Sequence, residues 1–291
     1  NSSGTYTYLT TNIVGCDSVA VLNLTINQGD TSYANITACD SVVWNGTTYT
    51  QSGTYSSNTG SNNNYSMSFD GVDDYVQVSN PGGYGVNLSV TAWVRKINNT
   101  STDDILSGGP YDFHFGVNPN GKIGLGKQYI GGSQVTGYTN INDNTWHFVS
   151  ATYDGSVITI YVDGQIDAVG TQVWVPNISS NLYIGSAVNL SSNIYENYNG
   201  LLNEVTFWNI TLSQQEIQNY MSCPPTGNES GLVGYWNFEE GSGTTAYDQA
   251  SNGNNGTING ATYDTNVPTQ SCILTNSNGC DSTAILNLTI N

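Results

Sequence analysis

Thirteen residues, Gly15 to Asn27 (GCDSVAVLNLTIN), return as Gly279 to Asn291 (GCDSTAILNLTIN) with two differences. A second echo, Ser-Gly-Thr-Tyr at Ser3 to Tyr6 and at Ser52 to Tyr55, shows which parts belong together. Gly4 precedes Cys16 by 12 residues, whereas Gly53 precedes Cys280 by 227, so the second copy carries an insertion of 215 residues. A small repeated unit with a large guest inside it is the pattern of an array protein. The expected segments are residues 1–27, the C-terminal part of one β repeat; 28–57, the first half of a second; 58–272, an inserted domain; and 273–291, the second half of the second repeat.

Both kinds of segment read as β structure. In the repeat, Thr5 to Leu9 and Val19 to Ile26 alternate apolar and polar residues around an Asn/Gly turn, and Val42 to Trp44, Asn45-Gly46 and Thr47 to Thr50 spell a hairpin. In the guest, short runs with period-two patterning recur: Tyr65–Phe69, Tyr75–Val78, Ser89–Val94, Phe113–Val117, Ile123–Leu125, His147–Tyr153, Val157–Val162, Leu182–Ile184 and Leu202–Trp208. One stretch, Ser213 to Met221, reads as a helix, with Ser213 as its cap and Gln215 and Glu216 in its first turn. The expected class is all-β: a jelly-roll sandwich inserted in small disulfide-linked β repeat modules.

Charge excludes several partners. Four residues are basic (Arg95, Lys96, Lys122, Lys127) against 22 Asp and Glu, a formal net charge of −18. Nucleic acid needs a Lys/Arg footprint to release its counterions, and an anionic membrane surface is disfavoured for the same reason. No run approaches the ~18 apolar residues of a membrane span. With 9% charged residues the chain is hydrated by Asn, Ser, Thr and Gly, a composition that suits an exported, surface-exposed protein.

The guest resembles the laminin G-like, concanavalin A-like jelly-roll family. The residues that carry this are Ser68 to Val76 (SFDGVDDYV), Val90 to Val94 (VTAWV), Trp146 to Gly155 (WHFVSATYDG), Ile160 to Gly164 (IYVDG) and Gly200 to Asn209 (GLLNEVTFWN). Gly231 to Asp248, similar to the first strands of many relatives, stands last here and is read as a permuted edge that completes the sandwich. The host unit, with CDSVVWNGTTYT from Cys39 and GCDS from Gly279, resembles the repeats of very large flavobacterial adhesins, including those linked to gliding motility. That resemblance implies export and display at the cell surface, with neighbouring repeats as partners.

Catalysis has little to stand on. The glycoside hydrolases that share this sandwich carry their acids as Glu-x-Asp-x-x-Glu along one strand, and that run is absent, while the adjacent Glu239 and Glu240 would point to opposite faces. Carbohydrate binding is what the family resemblance implies, through aromatic rings stacked on sugars. Trp93, Trp146 and Trp208 alternate inward as core, which leaves Tyr111, Tyr129, Tyr138, Tyr195 and Tyr198, in polar loop-like stretches, as candidates. Relatives of this fold also hold calcium at such an edge, and a hard cation wants several oxygen ligands. Asp248, Asn252 and Asn254 supply them here, with Glu204 or Asp70 from elsewhere, unless the Asn-Gly run is simply a hairpin turn.

Five cysteines suggest two bridges and one left over. Cys39 and Cys280 stand near the two ends of the complete repeat, Cys223 and Cys272 flank the last part of the guest, and Cys16 lacks a partner in its own half repeat. Asp-Ser-Val/Thr at Ser18, Ser41 and Ser282 is similar to the O-glycosylation signal of Bacteroidota, or else a turn beside a cysteine. Two functions follow: an adhesive stalk whose guest binds glycans or another extracellular polymer, or a structural filament subunit that the guest decorates.

Overall fold

The computed structural model describes the chain except residues 1–3, 12–16, 25–30, 45–46, 58–62, 83–84, 98–100, 110–111, 128–133, 175–180, 190, 271–282 and 291. It divides into two compact units, residues 1–61 with 272–291, and residues 62–271.

In the smaller unit the two echoes pair with each other. Strand β1 (Gly4–Thr11) runs antiparallel to β2 (Asp17–Leu24), with Gly4 opposite Leu24, Thr5 opposite Asn23 and Tyr6 opposite Leu22. In the interrupted copy β6 (Gly53–Ser57) runs antiparallel to β25 (Thr283–Ile290), with Gly53 opposite Leu288, Thr54 opposite Asn287 and Tyr55 opposite Leu286. These are the same residues in the same register, so the insertion lengthens a loop without shifting the ladder, as the slow growth of loop-closure entropy with length permits. A further strand, β3 (Thr31–Ala38), lies parallel to β25 on its other edge, while β4 (Val42–Trp44) and β5 (Thr47–Tyr49) form the Asn-Gly hairpin.

The parallel pairing corrects one cysteine assignment. Cys39 is an exposed free thiol that follows Ala38, the partner of Ile290, whereas Cys280 comes three residues before Thr283, the partner of Thr31. Eight residues of strand span ~26 Å, more than three residues of chain can bring back to disulfide distance. The Cys39–Cys280 bridge is therefore not part of this fold. Cys223 is disulfide-bonded, and Cys16, Cys272 and Cys280 lie outside the described residues.

Residues 62–271 fold as two antiparallel sheets. One runs in the order β13 (Gln134–Thr136), β12 (Ile123–Lys127), β11 (Phe113–Val117), β10 (Asp103–Ser107), β17 (Leu182–Ile184), β8 (Tyr75–Val78), β23 (Gly256–Asn259), β22 (Thr245–Ala246). The other runs β16 (Gln165–Thr171), β15 (Val157–Val162), β14 (Trp146–Tyr153), β9 (Leu88–Lys96), β20 (Asn199–Trp208), β7 (Ser66–Asp70), β24 (Thr262–Asp264), with β21 (Leu232–Trp236) also paired to β20. Strands β21 to β24, from the last part of the guest, thus complete both sheets. Inward residues of each strand, among them Val76, Val78, Val90, Ala92, Phe113, Phe115, Ile160 and Ile184, are buried between the layers.

The outer faces of the two sheets differ. On the second sheet Phe148, Tyr161 and Trp208 are covered by Leu212, Ile217, Leu232 and Ala250, with Trp93 and Tyr220 packed alongside. Ile217 belongs to α1 (Gln214–Ser222), which starts at Ser213 in a capping box: the Ser213 side chain accepts from the Glu216 N–H and Glu216 reaches back to the Ser213 N–H. Trp93 and Trp208 are therefore under this cover rather than between the sheets, and Trp146 is half-buried with its indole N–H donated to Asn266. The outer face of the first sheet has no helix on it among the described residues.

Candidate functional site

Period-two alternation that sends Val76, Ile184, Phe113 and Leu125 inward sends their neighbours outward on the open sheet. Registers across its eight strands line these neighbours into one rung: Gln134, Gly126, His114, Ser107, Tyr183, Gln77, Thr257, Thr245. At ~4.8 Å between strands the rung is ~34 Å long. Tyr75, opposite Asn259 and on the same face as Gln77, tilts against Tyr183 with ring centroids 6.1 Å apart. Ser107, mid-rung, is buried and donates its hydroxyl to the Ser186 carbonyl at 2.8 Å, just before β18 (Ala187–Val188) pairs with β19 (Ile194–Tyr195) in a short hairpin. Covered Ser107 separates two patches along the rung.

One patch holds half-buried Tyr75, Gln77, Tyr183 and Asn259 with exposed Thr257. These are two aromatic faces, two amides and a hydroxyl, the groups that stack on a sugar ring and bond its hydroxyls. The other is ionic. His114 Nδ1 pairs with the buried Asp104 carboxylate and lies 3.3 Å from Glu196 Oε2, and its ring centroid is 6.2 Å from that of Tyr195. Burial alone would lower the His114 pKa, but the charge of Asp104, with help from Glu196, overrides it and raises the value to about 10. Burial raises Asp104 to about 6 against the pull of His114. Glycine makes room for this pair: a Cβ on Gly116, opposite Asp104, would stand 2.6 Å from Asp104 Oδ1. Where β10 and β11 meet, a bulge shifts the register between Asp104 and Leu106.

The tyrosines named from sequence scatter. Tyr195 borders the ionic patch, while Tyr138 is 77% exposed after β13, its N–H held by Asp167. Tyr198 is fully buried, edge-on to Phe69 and 5.6 Å beneath Lys96 Nζ, so it is a core residue and not a ligand platform. Tyr111 and Tyr129 lie outside the described residues. Tyr75 and Tyr183 each alternate with inward aliphatics in a strand that the sequence spells, so strand face, and not loop position, is the signal that marks them. Of the serines, Ser41 is exposed, Ser18 lies in β2, and Ser282 falls outside the described residues.

The five proposed calcium ligands do not form one site. Asp248 accepts the N–H groups of Tyr235 and Ala250 on Oδ1 and of Asn254 on Oδ2. Asn252 donates to the Leu232 and Val233 carbonyls, and Asn254 to Val233. A carboxylate that faces three N–H donors, beside amides turned to carbonyls, is the interior of a turn and does not fit a cation. Glu204 is buried and accepts from the Tyr235 hydroxyl, and Asp70 belongs to a separate group with Asp73 and Asp74. His147, at the start of β14, has Nδ1 2.9 Å from Asp163 and its other nitrogen beside Asp143.

Residues 69–218, just over half of the chain, match the family model of the concanavalin A-like lectin/glucanase superfamily, laminin G type. The chain belongs to that superfamily. Among solved structures this superfamily member is similar to a putative carbohydrate binding protein from Bacteroides ovatus (18% identity, TM-score 0.59), covering 73% of this chain and 63% of that one, less than two thirds. It is also similar to a heptameric SAP-like pentraxin from Limulus polyphemus (16% identity, TM-score 0.53), covering 73% of this chain and 98% of that one. A curated relative, "Sushi, von Willebrand factor type A, EGF and pentraxin domain-containing protein 1" of Rattus norvegicus, is 24% identical over 123 residues, 39% of this chain and 4% of that protein. At these identities the likeness is one of fold.

Proposed function

We propose that residues 62–271 are a carbohydrate-binding module that takes its ligand on the open sheet face, and that the repeat carries it as a segment of an extracellular adhesive stalk. The observation that carries this is the rung itself: eight outward positions in register, with Tyr75 and Tyr183 beside Gln77, Thr257 and Asn259, on the sheet that the helix leaves uncovered. A similar fold in a putative carbohydrate binding protein supports the reading. No described helix is long and apolar enough to cross a membrane.

The charge on the face narrows the ligand to neutral glycans. No residue of the rung is Lys or Arg, and Lys96 is spent on Asp103 at 2.7 Å, its pKa lowered by burial. A sialic acid or uronic acid would find no free cation on the rung to pair with its carboxylate. The carboxylates of Asp104 and Glu196 are engaged by His114, which favours binding over hydrolysis. A glycan array probed with the whole chain tests this. Retention on neutral glycans should be lost in Tyr183→Ala and kept in Tyr138→Ala; retention that survives Tyr183→Ala, or confined to sialylated glycans, defeats the assignment.

The alternative is a structural filament subunit. What favours keeping it is the identical pairing of the split and unsplit repeats, which makes the guest a decoration on a uniform scaffold.

A further inference from the structure

Lys96 is the last residue of β9, in one sheet of the sandwich, and Asp103 is the first of β10, in the other. Where the chain crosses between the sheets these two side chains meet: Lys96 Nζ stands 2.7 Å from Asp103 Oδ2, with the side chains 1% and 0% exposed. The fully buried Tyr198 ring lies 5.6 Å from Nζ, with Phe69 edge-on to it. Glycan binding makes no use of this pair. An ammonium and a carboxylate taken out of water lose hydration that their mutual attraction restores only in part. Burial accordingly lowers the Lys96 pKa, which favours the neutral, nucleophilic amine.

We propose that Lys96 and Asp103 condense to an intramolecular amide between Nζ and Cγ that ties the two sheets covalently. The ion pair already holds every atom of the product. One ammonium proton passes to the carboxylate, the amine lone pair attacks Cγ, the Cγ–Oδ1 bond breaks, and that oxygen leaves as water with two of the three Nζ protons. No oxidant or co-reactant enters, and the net charge is unchanged. Asp103 Oδ2, which stays as the amide oxygen, accepts the Asn199 N–H at 2.9 Å, a donor placed where the tetrahedral intermediate gathers negative charge. Groups held in contact and in line react as if at concentrations on the order of 10⁵ M or more.

The product also keeps its neighbours bonded. In the ion pair Nζ donates to the carbonyls of Ile97 (3.0 Å) and Asn199 (3.3 Å) besides Asp103. The amide retains one N–H, for the Ile97 carbonyl, while the Asn199 carbonyl keeps the Ile97 N–H at 3.0 Å. Two buried charges disappear and neither carbonyl is stranded. In a module carried by a stalk, the bond would hold the crossing between the sheets against shear; the inference stands whether or not the open face binds glycan.

Intact-mass spectrometry of the whole chain, purified in its native state and then reduced and denatured, tests it. The parent should weigh one water less than its sequence, whereas Lys96→Arg and Asp103→Ala should each show their full sequence mass. Trypsin should cut after Arg95 but not after Lys96, and fragmentation of the resulting peptide 96–122 should give no backbone ions from the stretch between residues 96 and 103. A succinimide at an Asp-Gly step such as Asp154-Gly155 loses the same water, but it reopens in mild alkali and persists in both variants. A parent of full mass, or a loss of water that alkali reverses or that either variant retains, would overturn the proposal. Should a variant fail to fold, the mass of the parent and of its peptide 96–122 decides alone.

Discussion

At the scale of single residues, two buried acids and a histidine set how the sandwich answers to pH. Glu204, fully buried at a positive φ in β20, has its pKa raised by burial to about 8, although the Tyr235 hydroxyl pulls it down. Its unfolded value is near 4.5. Between those limits the folded state binds the proton that the unfolded state releases, so the stability contributed by neutral Glu204 is complete at low pH and disappears as pH rises through 8. Glu204→Gln keeps an acceptor for Tyr235 and cannot titrate, so it should be more stable than the parent at pH 9 by about 1 kcal/mol or more, measured by urea melts. His114 has the same sign in a higher window: its folded value is raised to about 10 from 6.5, and its contribution fades as pH rises through that range. His114→Gln should flatten the stability profile between pH 7 and 10 and, by leaving Asp104 buried beside no cation, lower stability at pH 6.5. A variant whose profile keeps the parent slope would show that the charge is held elsewhere.

Elements illustrate why a residue pattern can be read correctly and its chemistry wrongly. The run from Asp248 to Gly256 has the oxygen-rich composition of a cation loop, yet its carboxylate is the hub of a turn that ties β21 to the edge of the other sheet. Asp248→Ala strands three N–H donors and should cost about 2 kcal/mol or more. The loss should be the same in chelator and in millimolar calcium; a melting temperature of the parent that falls with chelator, and does not in the variant, would restore the cation. The same gap between composition and environment hid β10, where Asp103 and Asp104 open a strand that is buried throughout. Two adjacent aspartates give no strand signal, and they are buried here because Lys96 and His114, from β9 and β11, supply their counter-charges. Helix α1 needed no such help, since its capping box is written within four residues.

For the whole molecule, the division at residues 62 and 271 implies that the guest can be removed. Residues 62–271 contain both sheets and both apolar clusters, so this piece alone should unfold in one cooperative transition and keep the glycan binding of the whole chain. Near-ultraviolet circular dichroism without tertiary signal would instead make guest and host one folding unit. The split repeat, the all-β class, the family and the helix were in the sequence because each rests on local information: a copied string, a two-residue period, motifs within a strand and its turn, a cap. Which outward residues meet was not. The row from Gln134 to Thr245 gathers positions more than a hundred residues apart, and only the order in which strands pair decides that Tyr183 lies beside Gln77. Direction escaped in the same way. Alternation is identical for a strand run either way, so the parallel seating of β3, which parts Cys39 from Cys280, became visible only once its hydrogen-bonding partner was fixed.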